Sequence, residues 1–191
     1  MHRLKTLRRL GAVALATTTL ALTATPAQAA TVSDATNDIA WNGTPTSAER
    51  ARTDVTTASY SMGDYVVLRL KVRAWANRCS TGIPCSRVTL GFNTRLYDSA
   101  GREFEMDMQR SDVYGNGAYL RYPNYTNHCD TGQIAFSSST TYDYVQVKIP
   151  RSCFPSGRRI VGVKSYLSYE HDKTYGQDYT GKATVNWVPK A

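Results

Sequence analysis

Val66-Val67-Leu68-Arg69-Leu70-Lys71-Val72-Arg73-Ala74 decides how this chain folds. Val66, Leu68, Leu70, Val72 and Ala74 share one parity, and Arg69, Lys71 and Arg73 share the other. A period of two means a strand with one face buried and one face wet. Val67 and Trp75 interrupt the polar parity near the ends. The basic triplet reads as a solvated strand face, since nucleic-acid binders concentrate Lys and Arg on a stripe or patch. Nucleic acid is not expected as a partner.

The same alternation recurs outward from this stretch. Val88, Leu90, Phe92, Thr94 and Leu96 form a second strand, and Asp98-Ser99-Ala100-Gly101 a turn in which Gly101 is free to take a positive φ. Phe104, Met106 and Met108 follow with Arg102 on one parity, opposed by Glu103, Glu105 and Asp107. This is the strongest hairpin signal, and its acidic face is a natural neighbour for the basic face of Arg69–Arg73. Val55 to Tyr60, Ile134 to Phe136, Val145 to Ile149, Val161 to Leu167 and Ala183 to Trp187 add further strands. No twelve-residue stretch carries a helical apolar stripe. Seven to nine antiparallel strands with half-wetted faces need a second sheet against them. The expected fold is therefore all-β: an antiparallel β-sandwich, jelly-roll or immunoglobulin-like in shape, with a partly open barrel as the alternative.

Residues 1–29 read as a secretory signal peptide. Arg3, Lys5, Arg8 and Arg9 precede an apolar stretch from Leu10 to Thr25, and Ala27-Gln28-Ala29 is an A-x-A cleavage signal. Residues 30–52 form a polar arm, with a short strand around Ile39 to Trp41 and a helical turn at Ser47–Arg52. The sandwich domain then runs from 53 to 191. No later apolar run approaches the ~20 residues that cross a bilayer, so the mature protein is expected to be extracellular and free of the membrane. Four of the 23 basic residues lie in the signal, leaving 19 against 15 acids, a mature charge of +4 rather than +8.

Four cysteines in an exported chain read as two disulfides. Three pairings of Cys79, Cys85, Cys129 and Cys153 are possible, and the sequence-local pairs Cys79–Cys85 and Cys129–Cys153 are favoured. Zinc on Cys79, Cys85, His128 and Cys129 is the rival, but the first spacing does not match a compact knuckle. Asp34-Ala35-Thr36-Asn37-Asp38, with Asp54, could offer oxygens to Ca²⁺. The segment lacks an EF-hand pattern, and Asx-rich arms are commonly unliganded. No metal and no cofactor are assigned.

Thirteen tyrosines are the other compositional feature. Tyr114, Tyr119, Tyr122 and Tyr125 crowd one irregular segment beside Arg121, and Tyr166, Tyr169, Tyr175 and Tyr179 another. Aromatic rings cover the C–H faces of sugars and also give rigid contact area to proteins. Loops of sandwiches pack down through such rings too, and exposed strands favour Tyr. Trp41, Trp75, Tyr119, Arg121, Tyr122 and Tyr125 are the candidate ligand contacts. The expected function is a non-enzymatic secreted protein that binds an extracellular glycan or cell-wall polymer. Protein binding or protease inhibition, with Cys79–Cys85 bracing an exposed loop, is one alternative. A small hydrolase using His128 or His171 beside a carboxylate is another, though G-x-S-x-G and H-E-x-x-H are both absent, and no catalytic residue is assigned.

The arm with Asp34-x-x-x-Asp38, the Thr53-Asp54-Val55 strand start, the alternating strand after it and the late Ile149-Pro150-Arg151-Ser152-Cys153 turn resemble small secreted proteins of high-GC Gram-positive, actinomycete-like bacteria. That resemblance spans most of the mature chain and implies export and a β-sandwich rather than an activity. Asp34 to Trp41 also resembles the opening of secreted carbohydrate- or haem-binding sandwich domains. Secreted bacterial protease inhibitors with two disulfides are a further comparison, on a shorter chain.

Overall fold

A computed structural model describes residues 28–75, 88–111, 115–122, 127–130, 132–171 and 173–189. The described chain forms β1 (Gln28–Ser33), β2 (Ala40–Asn42), α1 (Ser47–Thr53), β3 (Val55–Met62), β4 (Tyr65–Val72), β5 (Val88–Asp98) and β6 (Glu103–Ser111). There follow β7 (Gly115–Arg121), β8 (Asn127–Cys129), β9 (Ala135–Ser139), β10 (Tyr144–Pro150), a 3-10 turn (Arg151–Cys153), β11 (Ile160–His171), β12 (Thr174–Tyr179) and β13 (Ala183–Trp187).

Two antiparallel sheets pack together. The smaller has the order β1-β3-β4-β10-β9, and the larger β2-β12-β11-β5-β6-β7-β8, with β13 also pairing β11. Val66, Leu68, Leu70 and Val72 of β4 face Phe92, Leu96, Phe104 and Met106 in a single buried cluster fed by both sheets. The sandwich expectation therefore holds. There are thirteen strands among the described residues rather than seven to nine. The short strand expected around Ile39 to Trp41 is β2, and the additional ones are β1, β7, β8 and β12, of which β8 is three residues long and too brief to show a period.

The arm is built into the sandwich. β1 pairs β3 in the small sheet and β2 pairs β12 in the large one. Between them, α1 is closed by a capping box in which Thr46 Oγ1 accepts from Glu49 N and Glu49 Oε2 accepts from Thr46 N, satisfying two otherwise orphaned donors. Gly101 takes φ +76 in the β5–β6 turn. Cys129 and Cys153 are bonded at 2.06 Å, joining β8 of the large sheet to the turn after β10 of the small one. Cys79 and Cys85 lie outside the described residues.

One expected neighbourhood is corrected. Glu103, Glu105 and Asp107 do not face Arg69 and Lys71, because β6 and β4 belong to different sheets and their polar parities point out of opposite sides of the sandwich. The acids meet bases of their own sheet instead. Arg95 Nε lies 3.2 Å from Glu103 Oε1, and Glu105 stands opposite Arg121 in the register.

Candidate functional site

The small sheet turns a basic, tyrosine-lined face to solvent. Cross-strand register puts Ser59, Arg69, Gln146 and Ser137 in one row, and Thr57, Lys71, Tyr144 and Ser139 in the next. None of the five strands of this sheet contains an Asp or a Glu, while Arg69, Lys71 and Lys148 all point outward. A cleft of about 510 Å³ opens here, lined by Thr57, Ser59, Arg69, Lys71, Tyr142 and Tyr144.

Its side chains are held in place before any ligand arrives. Arg69 donates through Nε (2.9 Å) and Nη2 (2.6 Å) to Gln146 Oε1, and its guanidinium lies 4.4 Å from the centre of the Tyr144 ring. Gln146 Nε2 in turn donates to Ser137 Oγ at 3.3 Å. Lys148 Nζ sits 3.7 Å from the Tyr65 ring centre. Tyr142 stands at the tip of the β9–β10 connection, 70% exposed, the most exposed large hydrophobic among the described residues. Its N–H donates to Ser139 Oγ, and Asp143 Oδ1 accepts from Trp75 N, tying the turn to the sandwich beneath. Fixed cations beside an open ring suit a ligand with anionic groups and apolar faces.

The large sheet presents a second polar face. Tyr179, Tyr166, Asn93, Asp107 and Tyr119 stand in one cross-strand row, about 19 Å long at the usual strand spacing. Tyr119 donates to Asp107 Oδ2 at 2.9 Å. Burial, then that hydrogen bond to Asp107, pushes the Tyr119 hydroxyl up to about 12, and burial with the Asp107 charge does the same to Tyr166. Both stay neutral. The rings are already covered by cations: Arg121 lies 4.1 Å from Tyr119, Lys164 5.4 Å from Tyr179 and Lys182 4.2 Å from Tyr97. Acids and bases alternate across this face.

Of the six contacts expected from sequence, Tyr119 and Arg121 come together on this second face. Trp41 turns inward, edge-on to Tyr169 at 6.2 Å and across Gly176, where a Cβ would come within 2.5 Å of the indole. Trp75 is buried with the Arg52 guanidinium 5.0 Å from its ring. Tyr122 packs edge-on against Phe104 at 5.4 Å. Tyr125 lies outside the described residues, as does the side chain of His128.

His171 Nδ1 is 3.7 Å from Glu49 Oε1. That carboxylate also accepts from Tyr169 Oη at 2.6 Å and closes the α1 capping box. Burial raises its pKa, but the hydrogen bonds from Tyr169 and Thr46 outweigh burial and leave it lowered. A low-pKa carboxylate engaged by a helix cap is a structural anchor and a poor proton carrier. A second cleft, of about 560 Å³, opens at the edge between the sheets, lined by Met108, Ala118, Ile134 and Phe136, with Arg110 over Phe136. Neither His171 nor Glu49 lines either cleft.

At the other end of the sandwich, three elements bring acids together. Asp38 comes from the β1–β2 loop, Asp54 from the junction of α1 and β3, and Asp178 from β12. One carboxylate oxygen of each lies within 4.8 Å of the others. Asp54 and Asp178 are 0% and 1% exposed. Asp54 Oδ1 accepts from Asn37 N (3.0 Å), and Asp178 Oδ2 accepts from Val55 N (2.6 Å). Asp34 stands close enough for its charge to raise the pKa of Asp178. Burial pushes that pKa up first, the Val55 N–H opposes it, and Asp34, Asp38 and Asp54 add to the rise, to about 7. The Asp34 carboxyl is also raised, by burial and then by Asp38.

Sequence reasoning placed Asp34, Asp38 and Asp54 together but missed Asp178. It read Arg69 and Lys71 as a plain wet face and passed over Tyr142 and Tyr144. The absence of acids from β1, β3, β4, β9 and β10 was the available signal. No family model matches the chain, and no curated protein matches it significantly.

Proposed function

We propose that this chain is an exported, non-enzymatic β-sandwich of the jelly-roll kind that binds an anionic extracellular glycan or cell-wall polymer across the outer face of its small sheet. The observation that carries this is the acid-free sheet face, with Arg69 and Lys71 lining a cleft, Lys148 on the same face and Tyr142 open at the cleft's rim. Opposite charge draws the polymer in, and the tyrosine ring covers an apolar sugar face. The signal-like residues 1–29 and the disulfide support export. The crossovers that set β10 beside β4 and β12 beside β2 favour the jelly-roll form, and the motifs shared with actinomycete-like secreted proteins agree with both.

The test is co-sedimentation of the exported protein with phosphate-rich cell walls, and with chitin and cellulose as neutral polymers. Retention on the anionic walls should fall as salt rises. The double variant Arg69→Ala/Lys71→Ala should weaken it about fivefold, from ~1 kcal/mol of lost attraction. Tyr142→Ala should weaken it as well, and Tyr119→Ala on the opposite sheet should leave it unchanged. Equal retention on neutral polymers, with no response to the Arg69/Lys71 pair, contradicts the reading. Loss that follows Tyr119 instead moves the site to the large sheet.

A further inference from the structure

The carboxylates at the arm end of the sandwich carry more than a cluster of acids ordinarily does. Asp54 and Asp178 are buried side by side. Two like charges out of water repel each other and lose hydration, and a fold keeps such a pair only with compensation. The compensation in the protein is thin. Asp54 Oδ2 is buried with no hydrogen-bond donor; its nearest cation is Arg73, whose Nε stands 3.3 Å away without hydrogen-bond geometry. The Arg73 Nη1 donates instead to Asn37 Oδ1 at 2.8 Å. Asp34 Oδ2 is likewise buried without a donor. Among the described residues one guanidinium, that of Arg73, pairs with this group of four carboxylates, and it does so at Asp54, whose buried Oδ2 has no hydrogen-bond donor.

We propose that Asp38, Asp54 and Asp178 ligate a single Ca²⁺ ion, with Asp34 beside it as a further negative charge. The donor set is all carboxylate oxygen, which selects a hard cation over zinc or copper. Two oxygens on opposite sides of one calcium are ~4.8 Å apart, twice a Ca–O bond of ~2.4 Å. Three oxygens within 4.8 Å of one another fit that span. Magnesium asks for shorter bonds and near-ideal octahedral geometry, which three acids on a loop, a helix end and a strand serve less well. The ion supplies the positive charge that the buried pair lacks.

Its position gives it a structural role. Asp38 belongs to the loop that joins β1 of the small sheet to β2 of the large sheet. Asp54 leads into β3, and Asp178 lies in β12. Calcium there would pin the arm to both sheets at once. The two sites share β3, but none of the four acids lines the polymer-binding cleft.

Isothermal titration of chelator-treated protein with CaCl₂ is the test, with MgCl₂ as the second probe. One calcium per chain is expected, with Kd near 10⁻⁴–10⁻³ M, roughly the range of extracellular calcium modules. Magnesium should bind more weakly. Asp178→Asn should weaken calcium by more than about tenfold. Because that variant removes a buried group, Asp38→Asn at an exposed position gives a second reading that leaves the core untouched, and it should also weaken binding. No calcium heat with the wild-type protein at millimolar concentration overturns the proposal. So does unchanged affinity in a folded Asp38→Asn variant.

Discussion

Asp98 and the pair Asp54–Asp178 are equally buried, and the protein treats them in opposite ways. Asp98, 2% exposed at the β5–β6 turn, is surrounded by donors. Its Oδ1 accepts from Ala100 N and Arg102 N, both at 2.9 Å, and its Oδ2 from Arg102 Nε at 2.7 Å, with Arg158 at 3.6 Å. Burial raises its pKa, but the backbone and guanidinium donors of Arg102 outweigh burial and leave it lowered. Asp178 accepts from Val55 N and has three acidic neighbours, and its pKa rises to about 7. Burial alone therefore does not set the charge state; the count of donors around each carboxylate does. Where the fold needs a charged aspartate on its own, it surrounds it with protein donors. At the arm end it leaves that work to something outside the chain.

The largest effect that sharpens this contrast is the pH dependence of the metal-free protein. A folded pKa near 7 against an unfolded value of 3.8 means the folded state holds a proton that the unfolded state has released. That stability is fully present below about pH 4 and is lost as pH rises through about 7, on the order of 4 kcal/mol. Chemical denaturation in chelator from pH 4 to 8 should show the fall, and Asp178→Asn should flatten it. A flat wild-type profile breaks the contrast.

Asp98 should behave in the reverse sense. Its lowered pKa gives stability that is present above the ordinary carboxylate range and is lost as pH falls through the lowered value. Asp98→Ala should cost ~2 kcal/mol near neutral pH, since it orphans the turn N–H groups, and should remove much of the acid-limb loss. Denaturation midpoints at pH 7 and pH 3 measure both. Calcium should not change this cost.

The smallest expected effect concerns Arg73, whose Nε lies 3.3 Å from Asp54 Oδ2. Arg73→Gln should destabilise the chelated protein by ~1 kcal/mol. With saturating calcium the cost should shrink, because the ion then supplies the charge. A cost that is the same with and without calcium would mean that Arg73 acts through packing alone.

How much of this could be read from residues alone follows the range of the interactions. The β5–β6 hairpin was readable because parity and turn chemistry are local, and so was the Cys129–Cys153 bond, which spans 24 residues. Asp34, Asp38 and Asp54 drew attention because they crowd one arm. Asp178 did not, since it reaches the site only through the β2–β12 pairing, and its contact with Val55 spans 123 residues. The basic cleft was hidden for the same reason: Arg69 finds Gln146 and Tyr144 only across the β4–β10 register. The inward packing of Trp41 and Trp75 was not legible because an indole suits a ligand platform and a core equally well, and composition does not say which face it takes.

The central claim is that the arm end awaits a cation, and thermal unfolding of the wild-type protein in CaCl₂ and in chelator tests it most directly. At calcium about tenfold above Kd the midpoint should rise by about 3–6 °C and go on rising with the logarithm of the calcium concentration, as one site binding only the folded state requires. An unchanged midpoint across millimolar calcium would contradict it.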